Sequence, residues 1–517
     1  GHLAALPLER GDRVGIVAEM SPDFVIAFFA CQYAGLLAVP LPPMTALGGR
    51  LSYEKQLKRV VHTSGSRVLL GPEPVHASLN TASEAQDILF CGTVADLMNT
   101  TSEAPLQDPL GPEEDSHIQY SSGSTRKPLG ILISQKALMA NARAMAIDGL
   151  KFVAGDRASS WLPFYHDMGL IGFLLIPVTC QITVDYLQTD GFARRPLQWL
   201  DIISANRCTI AFSPGFGYDI CARRGQRNTD VDLDLQSWRI AGIGGEMVHP
   251  GMLQDFAETF AQCGFDPSAF MPSYGLAEAT LGVSFSPLGE GVKTDLVDNN
   301  RLRDQGVAAP VPETAPNSRI FARCGYPMAG YRICICDENG AELSERRVGH
   351  INVSGPSLMH GYFEDPEATA EVMTPDGWLR TGDMGYMLQG ELVITGRAKD
   401  LIIINGRNIW PQDLEWHAEN EVAELRPRDT AAFSMEDSKG KECAVILAHC
   451  RVSDKEARDR LRHEIHAAIY RNAGIDARIA LIPPGSLPFT TSGKLSRSLA
   501  KKSYLRGELA EITGDSV

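Results

Sequence analysis

The sequence predicts an α/β protein in which a large region of doubly wound sheets precedes a small α+β domain. A short apolar strand, Val14–Ala18, is followed by a helix and a second strand, Leu36–Leu41, which is the order of a parallel βαβ unit. The composition changes near Gly282, after which Pro, Asn, Asp and Gly are frequent. A second break falls at Gly396-Arg-Ala-Lys-Asp400, and strands flanking one charged helix follow it.

The individual elements follow from the same patterns. After the first βαβ unit, further apolar runs predict strands in the large region, with helices over 196–206 and 250–263 between them. These strands are 67–70, 118–120, 131–133, 158–162, 209–213, 239–243, 323–337 and 349–354. Ser21-Pro22 is predicted to start the first helix, and Ser134 is predicted to be the N-cap of a helix that contains 137–145. The C-terminal region is predicted to contain the strands 431–434, 442–448 and 478–482 and a helix over 454–470.

Length and composition limit the class of protein. A chain of 517 residues is too long for one core and predicts roughly three or four structural units. The net charge of −15 argues against a nucleic-acid partner and leaves no basic stripe for a membrane surface. Eleven cysteines without paired C-x-x-C spacing indicate a reduced, cytoplasmic protein. We find no apolar run long enough to span a membrane and no signal peptide, and the abrupt start at Gly1 predicts that a helix and a strand precede this sequence.

The most informative stretch is the loop Tyr120-Ser-Ser-Gly-Ser-Thr-Arg-Lys-Pro-Leu-Gly130. Small residues around a glycine leave backbone N–H groups uncovered, and such a turn suits a polyphosphate. The donors would come from Ser121, Ser122, Gly123, Ser124 and Thr125. The loop is not a Walker A motif, because no Gly-Lys-Ser/Thr closes it. A flexible surface loop remains the alternative for a tract of this composition.

Two motifs in the middle of the chain carry polar side chains. His166 and Asp167 lie in an apolar, Gly-rich segment, where a histidine is more often a satisfied core or cap residue than a catalyst. In Ser273-Tyr-Gly-Leu-Ala-Glu278, Tyr274 is placed to cover a purine and Glu278 to hold Mg²⁺ through a hard oxygen. The alternative for the second motif is a helix start with a solvated glutamate.

Two further motifs lie nearer the C-terminus. Arg380-Thr-Gly-Asp383 supplies a carboxylate after a tight turn, which suits the hydroxyls of a ribose but also describes an ordinary β-turn. Lys494 follows a polar loop, and most such lysines are surface charges. Each of these signals is weak when taken singly.

Taken in order, the motifs resemble the adenylate-forming superfamily of acyl-CoA synthetases, peptide-synthetase adenylation domains and luciferases. The resemblance covers nearly the whole chain and is carried by Ser121–Gly130, Tyr274–Glu278, Thr381–Asp383, Gly396-Arg397 with Lys399, and Ser492–Lys494. Within the superfamily, several stretches are similar to the fatty acyl-AMP ligases: Phe28–Gly35 with Pro40–Pro43, Phe164–Leu170, Tyr274–Leu281 and Lys399–Glu415.

The resemblance implies a domain plan. The large N-terminal domain would span 1–397 and include a distorted β-barrel subdomain over about 282–396. The branch carries an extra segment that hampers CoA use, expected here at about 289–323. The small domain, 398–517, would turn about a hinge at Lys399 and bring the loop with Gly406 to the incoming thiol.

The resemblance also implies the chemistry. ATP and Mg²⁺ would activate a fatty acid to an acyl adenylate, and the acyl group would pass to the phosphopantetheine thiol of an acyl carrier protein. Lys494, Glu278 and His166 would be catalytic, with Glu278 on the metal and His166 near the carboxylate. The ATP site would use the loop donors Ser121–Thr125 with Gly245, Ser273, Tyr274, Gly275, Asp383 and Arg397. The acyl pocket is expected to draw on Trp161, Met168, Phe216 and Ile243.

One departure from the family pattern and three alternatives stay open at this point. Leu129 stands where the loop commonly has a lysine, which leaves Arg126 or Lys127 to contact pyrophosphate. The nearest alternative is a fatty acyl-CoA synthetase, which differs in the acceptor. A peptide-synthetase adenylation domain would need an aspartate for an amino group, and Asp167 is the one candidate. A nucleotide-binding scaffold without catalysis is disfavoured by the presence of Glu278, Asp383 and Lys494. Acyl chain length and oligomeric state do not follow from the sequence.

Overall fold

The computed structural model describes residues 1–44, 50–84, 86–101, 104–105, 108–120, 129–227, 232–315, 317–404, 407–436, 442–490 and 494–512. Its strands and helices confirm the predicted α/β class. Two seven-stranded sheets form the large region, and a three-stranded sheet with its own hydrophobic core forms the small one.

The first sheet is mostly parallel and takes all but one of its strands from the N-terminal part of the chain; the exception is the edge strand Gly361–Tyr362. Its elements are β1 (Arg13–Val17), α1 (Pro22–Tyr33), β2 (Leu37–Leu41), α2 (Arg50–Ser64), β3 (Val68–Leu70), α3 (His76–Ala82), β4 (Phe90–Gly92), α4 (Val94–Thr100), β5 (Asp115–Tyr120), β6 (Gly130–Ser134) and α5 (Gln135–Ala144). Ser21 caps α1 by accepting the Phe24 N–H, and Ser134 caps α5 in the same way, as predicted. The Ser-rich loop therefore connects two antiparallel strands, β5 and β6.

The second sheet has a parallel centre and positions the functional residues. Its elements are β7 (Arg157–Ser160), α6 (Ile176–Cys180), β8 (Thr183–Tyr186), α7 (Thr189–Arg194), α8 (Leu197–Asn206), β9 (Ile210–Ser213), α9 (Gly215–Gly225), β10 (Ile240–Ile243), α10 (Pro250–Phe260), β11 (Phe270–Gly275) and β12 (Gly282–Phe285). Strands β9, β10 and β11 are parallel neighbours, so their carboxyl ends meet at one edge of the sheet. In open α/β sheets this edge is where ligands bind.

The following stretch is β-rich, as the composition predicts. It contains β13 (Thr294–Asp298), α11 (Asn299–Gln305), β14 (Ser318–Ala322), β15 (Tyr326–Pro327), β16 (Arg332–Cys336), β17 (Gly349–Ser354), β18 (Gly361–Tyr362), α12 (Pro366–Val372), β19 (Leu379–Leu388) and β20 (Glu391–Arg397). Four of these strands form an antiparallel sheet in the order β16-β17-β19-β20. Residues 289–323, where the extra segment is predicted, contain the antiparallel pair β13–β14 with α11 between its strands.

In its described residues, the small domain packs a three-stranded sheet and a two-stranded sheet against three helices. Its elements are β21 (Ile402–Ile404), β22 (Arg407–Ile409), α13 (Pro411–Glu421), β23 (Thr430–Glu436), β24 (Glu442–His449), α14 (Lys455–Ala473), β25 (Ala477–Ile482) and α15 (Arg497–Leu505). The three strands and the long helix predicted for this region are confirmed. Within the described part of the chain, no helix is long and apolar enough to cross a membrane.

Candidate active site

A cavity of about 2820 Å³ lies between the large region and the small domain. Its wall includes the carboxyl edge of the second sheet, with Ser273, Tyr274 and Gly275, and residues of the small domain, including Lys494. One end is apolar and lined by Met145, Leu150, Phe152, Phe173, Phe212 and Phe285. The cavity thus joins a polar region to an apolar one.

Three predicted nucleotide residues meet in this cavity. Tyr274, at the end of β11, donates its hydroxyl to Asp383 Oδ2 at 2.9 Å. Arg397 Nε donates to Asp383 Oδ1 at 3.1 Å, because the two residues are direct partners across β19 and β20. Burial is the main cause that raises the pKa of Tyr274, and the Asp383 charge raises it further. The Tyr274 hydroxyl therefore keeps its proton. The carboxylate is therefore oriented from two sides and still borders the cavity.

Glu278 lies on a short helical turn after β11 and faces the same cavity. Its Oε1 accepts the Tyr362 hydroxyl at 3.0 Å. Burial raises the pKa of Glu278, so a cation beside it would stabilise the ionised form. The described residues contain no group of three or more His, Cys, Asp or Glu side chains that would hold a metal by themselves. The site fits Mg²⁺ that takes one carboxylate from the protein and its other ligands from phosphate and water.

Lys494 enters the cavity from the small domain beside the glycine-rich turn after β10. A Cβ built on Gly245 would lie 3.2 Å from Lys494 Nζ and 3.2 Å from Met168 Sδ. The Gly245 backbone has φ +81°, which a glycine adopts at low cost. Burial lowers the pKa of Lys494, and Asp167, Glu246 and Asp383 oppose this shift. The Lys494 ammonium thus reaches the polar part of the cavity beside Gly245, where no side chain obstructs it.

His166 and Asp167 form a pair at the cavity wall. His166 Nδ1 lies 2.6 Å from Asp167 Oδ1, which also accepts the Met168 N–H at 2.8 Å. Burial opposes ionisation of Asp167, but His166 and Lys494 hold its pKa below the ordinary value. Lys494 of the small domain therefore lies close enough to Asp167 to stabilise its charge, a proximity that no local feature of the sequence indicates.

The structure corrects two of the four predicted acyl-pocket residues. Met168 and Phe216 line the cavity, whereas the described wall includes neither Trp161 nor Ile243. Trp161 is buried and stacks on Phe192 with ring centroids 3.9 Å apart. Ile243 is fully buried in β10. Both side chains belong to the core because residues distant in sequence cover them.

The remaining predicted positions divide into two groups. The loop Ser121–Thr125, with Arg126 and Lys127, lies outside the described residues, as does Gly406. Leu129 is described and lines the cavity, so an apolar side chain stands there in place of the usual lysine. Lys399 lies on the turn Ala398–Asp400 between the two domains, and burial followed by Arg397 lowers its pKa.

Comparison with known proteins places the chain in a family. The AMP-binding enzyme family matches residues 1–363. A Caulobacter vibrioides protein, named only provisionally as an acyl-CoA synthetase, is 47% identical over 98% of this chain and 88% of its own length. The medium-chain-fatty-acid–[acyl-carrier-protein] ligase JamA of Moorena producens is 31% identical over 97% of this chain and 87% of its own.

A solved structure extends the similarity to the fold. It comes from a study of fatty acyl-adenylate ligases from E. coli and L. pneumophila, and it superposes with a TM-score of 0.91. It shares 45% identity and covers 98% of this chain and 90% of its own. The chain therefore belongs to the AMP-binding enzyme family and, within it, to the fatty acyl-AMP ligases.

Proposed function

We propose that the protein joins a fatty acid to AMP and then passes the acyl group to the phosphopantetheine thiol of an acyl carrier protein. The observation that carries the proposal is the single cavity in which Lys494 and the Tyr274–Asp383–Arg397 cluster lie at a polar region continuous with an apolar one. The polar region suits a nucleotide, and the apolar region suits a fatty chain. The reacting groups would meet where the two regions join.

In the first step, a carboxylate oxygen attacks the α-phosphorus of ATP and the bond to pyrophosphate breaks. Two anions must approach each other, so positioning and charge neutralisation supply most of the catalysis. Lys494 would bridge the carboxylate and the α-phosphate, for which a compact ammonium on a long stem is suited. Mg²⁺ on Glu278 would offset charge on the phosphates.

The nucleoside would be held by the cluster around Asp383. Its carboxylate would accept hydrogen bonds from the ribose hydroxyls, with Arg397 fixing its orientation. The Tyr274 ring would pack on the adenine while its hydroxyl remains on Asp383. His166, at the wall near Met168, would line the entrance of the fatty carboxylate.

In the second step, a thiol attacks the acyl carbonyl carbon and AMP leaves. The small domain would turn about Lys399, which would withdraw Lys494 and bring the loop with Gly406 to the thiol. One cavity would in this way serve two reactions in succession.

The acceptor separates the proposal from its nearest alternative, a fatty acyl-CoA synthetase. The pair β13–β14 and its helix contact the small domain: Arg319 forms an ion pair with Asp413 at 2.6 Å, and Arg303 donates to the Ala473 carbonyl at 3.4 Å. These contacts support a role for the extra segment in limiting the movement of the small domain, which would account for the poor use of CoA that the resemblance implies. The carrier-protein ligase named among the relatives supports the carrier as acceptor.

A product assay tests the proposal. The protein is incubated with ATP, Mg²⁺ and fatty acids of several lengths, with CoA, holo carrier protein or apo carrier protein as acceptor. We expect acyl-AMP to accumulate with CoA or apo carrier protein and to be consumed with holo carrier protein. Efficient acyl-CoA formation would assign the protein to the synthetases, and no pyrophosphate release with any fatty acid would refute adenylation.

A further inference from the structure

Arg428 of the small domain lies between two aromatic rings from different parts of the protein. Its guanidinium carbon is 4.6 Å from the ring centroid of Phe216, which begins α9 of the large region. It is 4.5 Å from the ring centroid of Phe489, which belongs to the small domain. A guanidinium at these distances is attracted by the face of each ring. We call Phe216, Arg428 and Phe489 the arginine clamp.

The segment that carries Arg428 is held in an unfavourable backbone conformation. Arg428 has φ +69°, which is rare for a residue with a side chain. Its N–H donates to Glu419 Oε2 at 2.8 Å, and Glu419 Oε1 accepts both the N–H and the hydroxyl of Thr430. Asp429, the next residue, pairs with Arg451. Backbone strain persists where the surroundings over-determine it, and it is frequent at functional positions.

Each ring of the arginine clamp is connected to the candidate active site. Phe489 forms an antiparallel bridge with Leu495, and Thr490 and Lys494 exchange two hydrogen bonds. We call these four residues the lysine hairpin. Phe216 lines the cavity, and its N–H donates to Glu246 Oε1 at 3.0 Å. The clamp therefore links the hairpin that carries the lysine to the cavity wall of the large region.

We propose that Arg428 is a positioning residue for acyl-adenylate formation: it holds the lysine hairpin against the large region and releases Phe216 when the small domain turns for thiol transfer. This inference rests on the proposed function and on the turn about Lys399. Arg428 holds each ring through a non-covalent cation–π contact. The contact with Phe216 can therefore form and separate in each cycle. Phe216 belongs to the large region, whereas Arg428 and Phe489 belong to the small domain. The arginine clamp is therefore complete only in the arrangement in which Lys494 lies in the cavity.

The test substitutes Arg428→Gln, which keeps a polar side chain of similar stem but removes the cation. We expect acyl-adenylate formation, measured by pyrophosphate release, to slow roughly five- to thirtyfold, from loss of the part-buried cation–π contact with Phe216, which alone spans the two sides. Transfer from preformed acyl adenylate to holo carrier protein should keep its rate. Arg428→Lys, which retains a cation, should restore part of the first step. Arg460→Gln, at an exposed position of α14, is the matched control and should leave both steps unchanged.

Two results would overturn the inference. Acyl-adenylate formation at the parental rate in R428Q would show that the clamp does not position the lysine. Equal loss in both steps would assign Arg428 to folding alone. Failure of the proposed function would be recognised separately, since the parental protein would then form no acyl adenylate. In that case, trypsin cleavage after Lys399 still reports on the clamp: faster cleavage in R428Q than in R460Q supports it, and equal rates refute it.

Discussion

Gly245→Ala tests whether Lys494 needs the open space beside Gly245, which has no side chain, to reach the reacting groups. The added methyl would lie 3.2 Å from Lys494 Nζ, closer than nine in ten such contacts, so the ammonium must move aside by a few tenths of an ångström. A 1 Å misplacement of a catalytic group costs about 10²-fold in rate, so we expect acyl-adenylate formation to fall roughly two- to tenfold. The alanine also adopts φ +81°, which costs roughly 1–2 kcal/mol of stability.

Gly155→Ala is the matched control for that backbone cost. Gly155 has φ +92°, and a Cβ there would meet no atom within 4 Å. We therefore expect a similar loss in the free energy of unfolding, measured by urea denaturation, with adenylate formation unchanged. The comparison separates strain in the backbone from displacement of the lysine.

The second half-reaction identifies the cause of the lost activity. Transfer from preformed acyl adenylate uses the same nucleotide site without Lys494, so Gly245→Ala should leave it intact. If transfer fell by the same factor, the methyl would be obstructing the adenylate itself and the reasoning from Lys494 would be refuted. Adenylate formation at the parental rate would refute it as well.

Three further perturbations have outcomes that the structure predicts. Lys494→Ala should abolish acyl-adenylate formation in a pyrophosphate-release assay and leave thiol transfer largely intact; equal loss of both steps would contradict the role. Asp383→Asn retains an acceptor for Tyr274 but loses the charge that faces Arg397. The KM for ATP should therefore rise about tenfold or more. An unchanged KM would place the ribose elsewhere. Burial lowers the pKa of His117 from 6.5 to about 4, so between these pH values the unfolded chain binds a proton that the folded chain does not. The free energy of unfolding should therefore decrease as the pH falls through this range, by about 3 kcal/mol from this residue, and a His117→Phe variant with the same pH dependence would contradict the assignment.

Local sequence patterns were sufficient for most elements of the fold. Ser134 was predicted to cap α5 because a hydroxyl residue stands between an apolar strand and a helical run, and both signals lie within a few residues. The chemistry of the candidate site followed in the same way from short motifs in a fixed order. The hydroxyl, the two carboxylates and the ammonium that the motifs supply all line one cavity. They belong to Tyr274, Glu278, Asp383 and Lys494.

Contacts between distant segments were decided only by the tertiary structure. Trp161 and Ile243 have the apolar character of pocket residues, but Trp161 stacks on Phe192 and Ile243 is fully buried in the core. The partnership of Asp167 with Lys494 joins residues from two domains. Arg428 likewise has no motif around it, and its position between two rings depends on how the domains pack. The sequence by itself determined the fold class and the reacting groups, because helix, strand and motif signals are local. The structure decided which of these groups meet, because a distance across hundreds of residues is set by packing rather than by spacing along the chain.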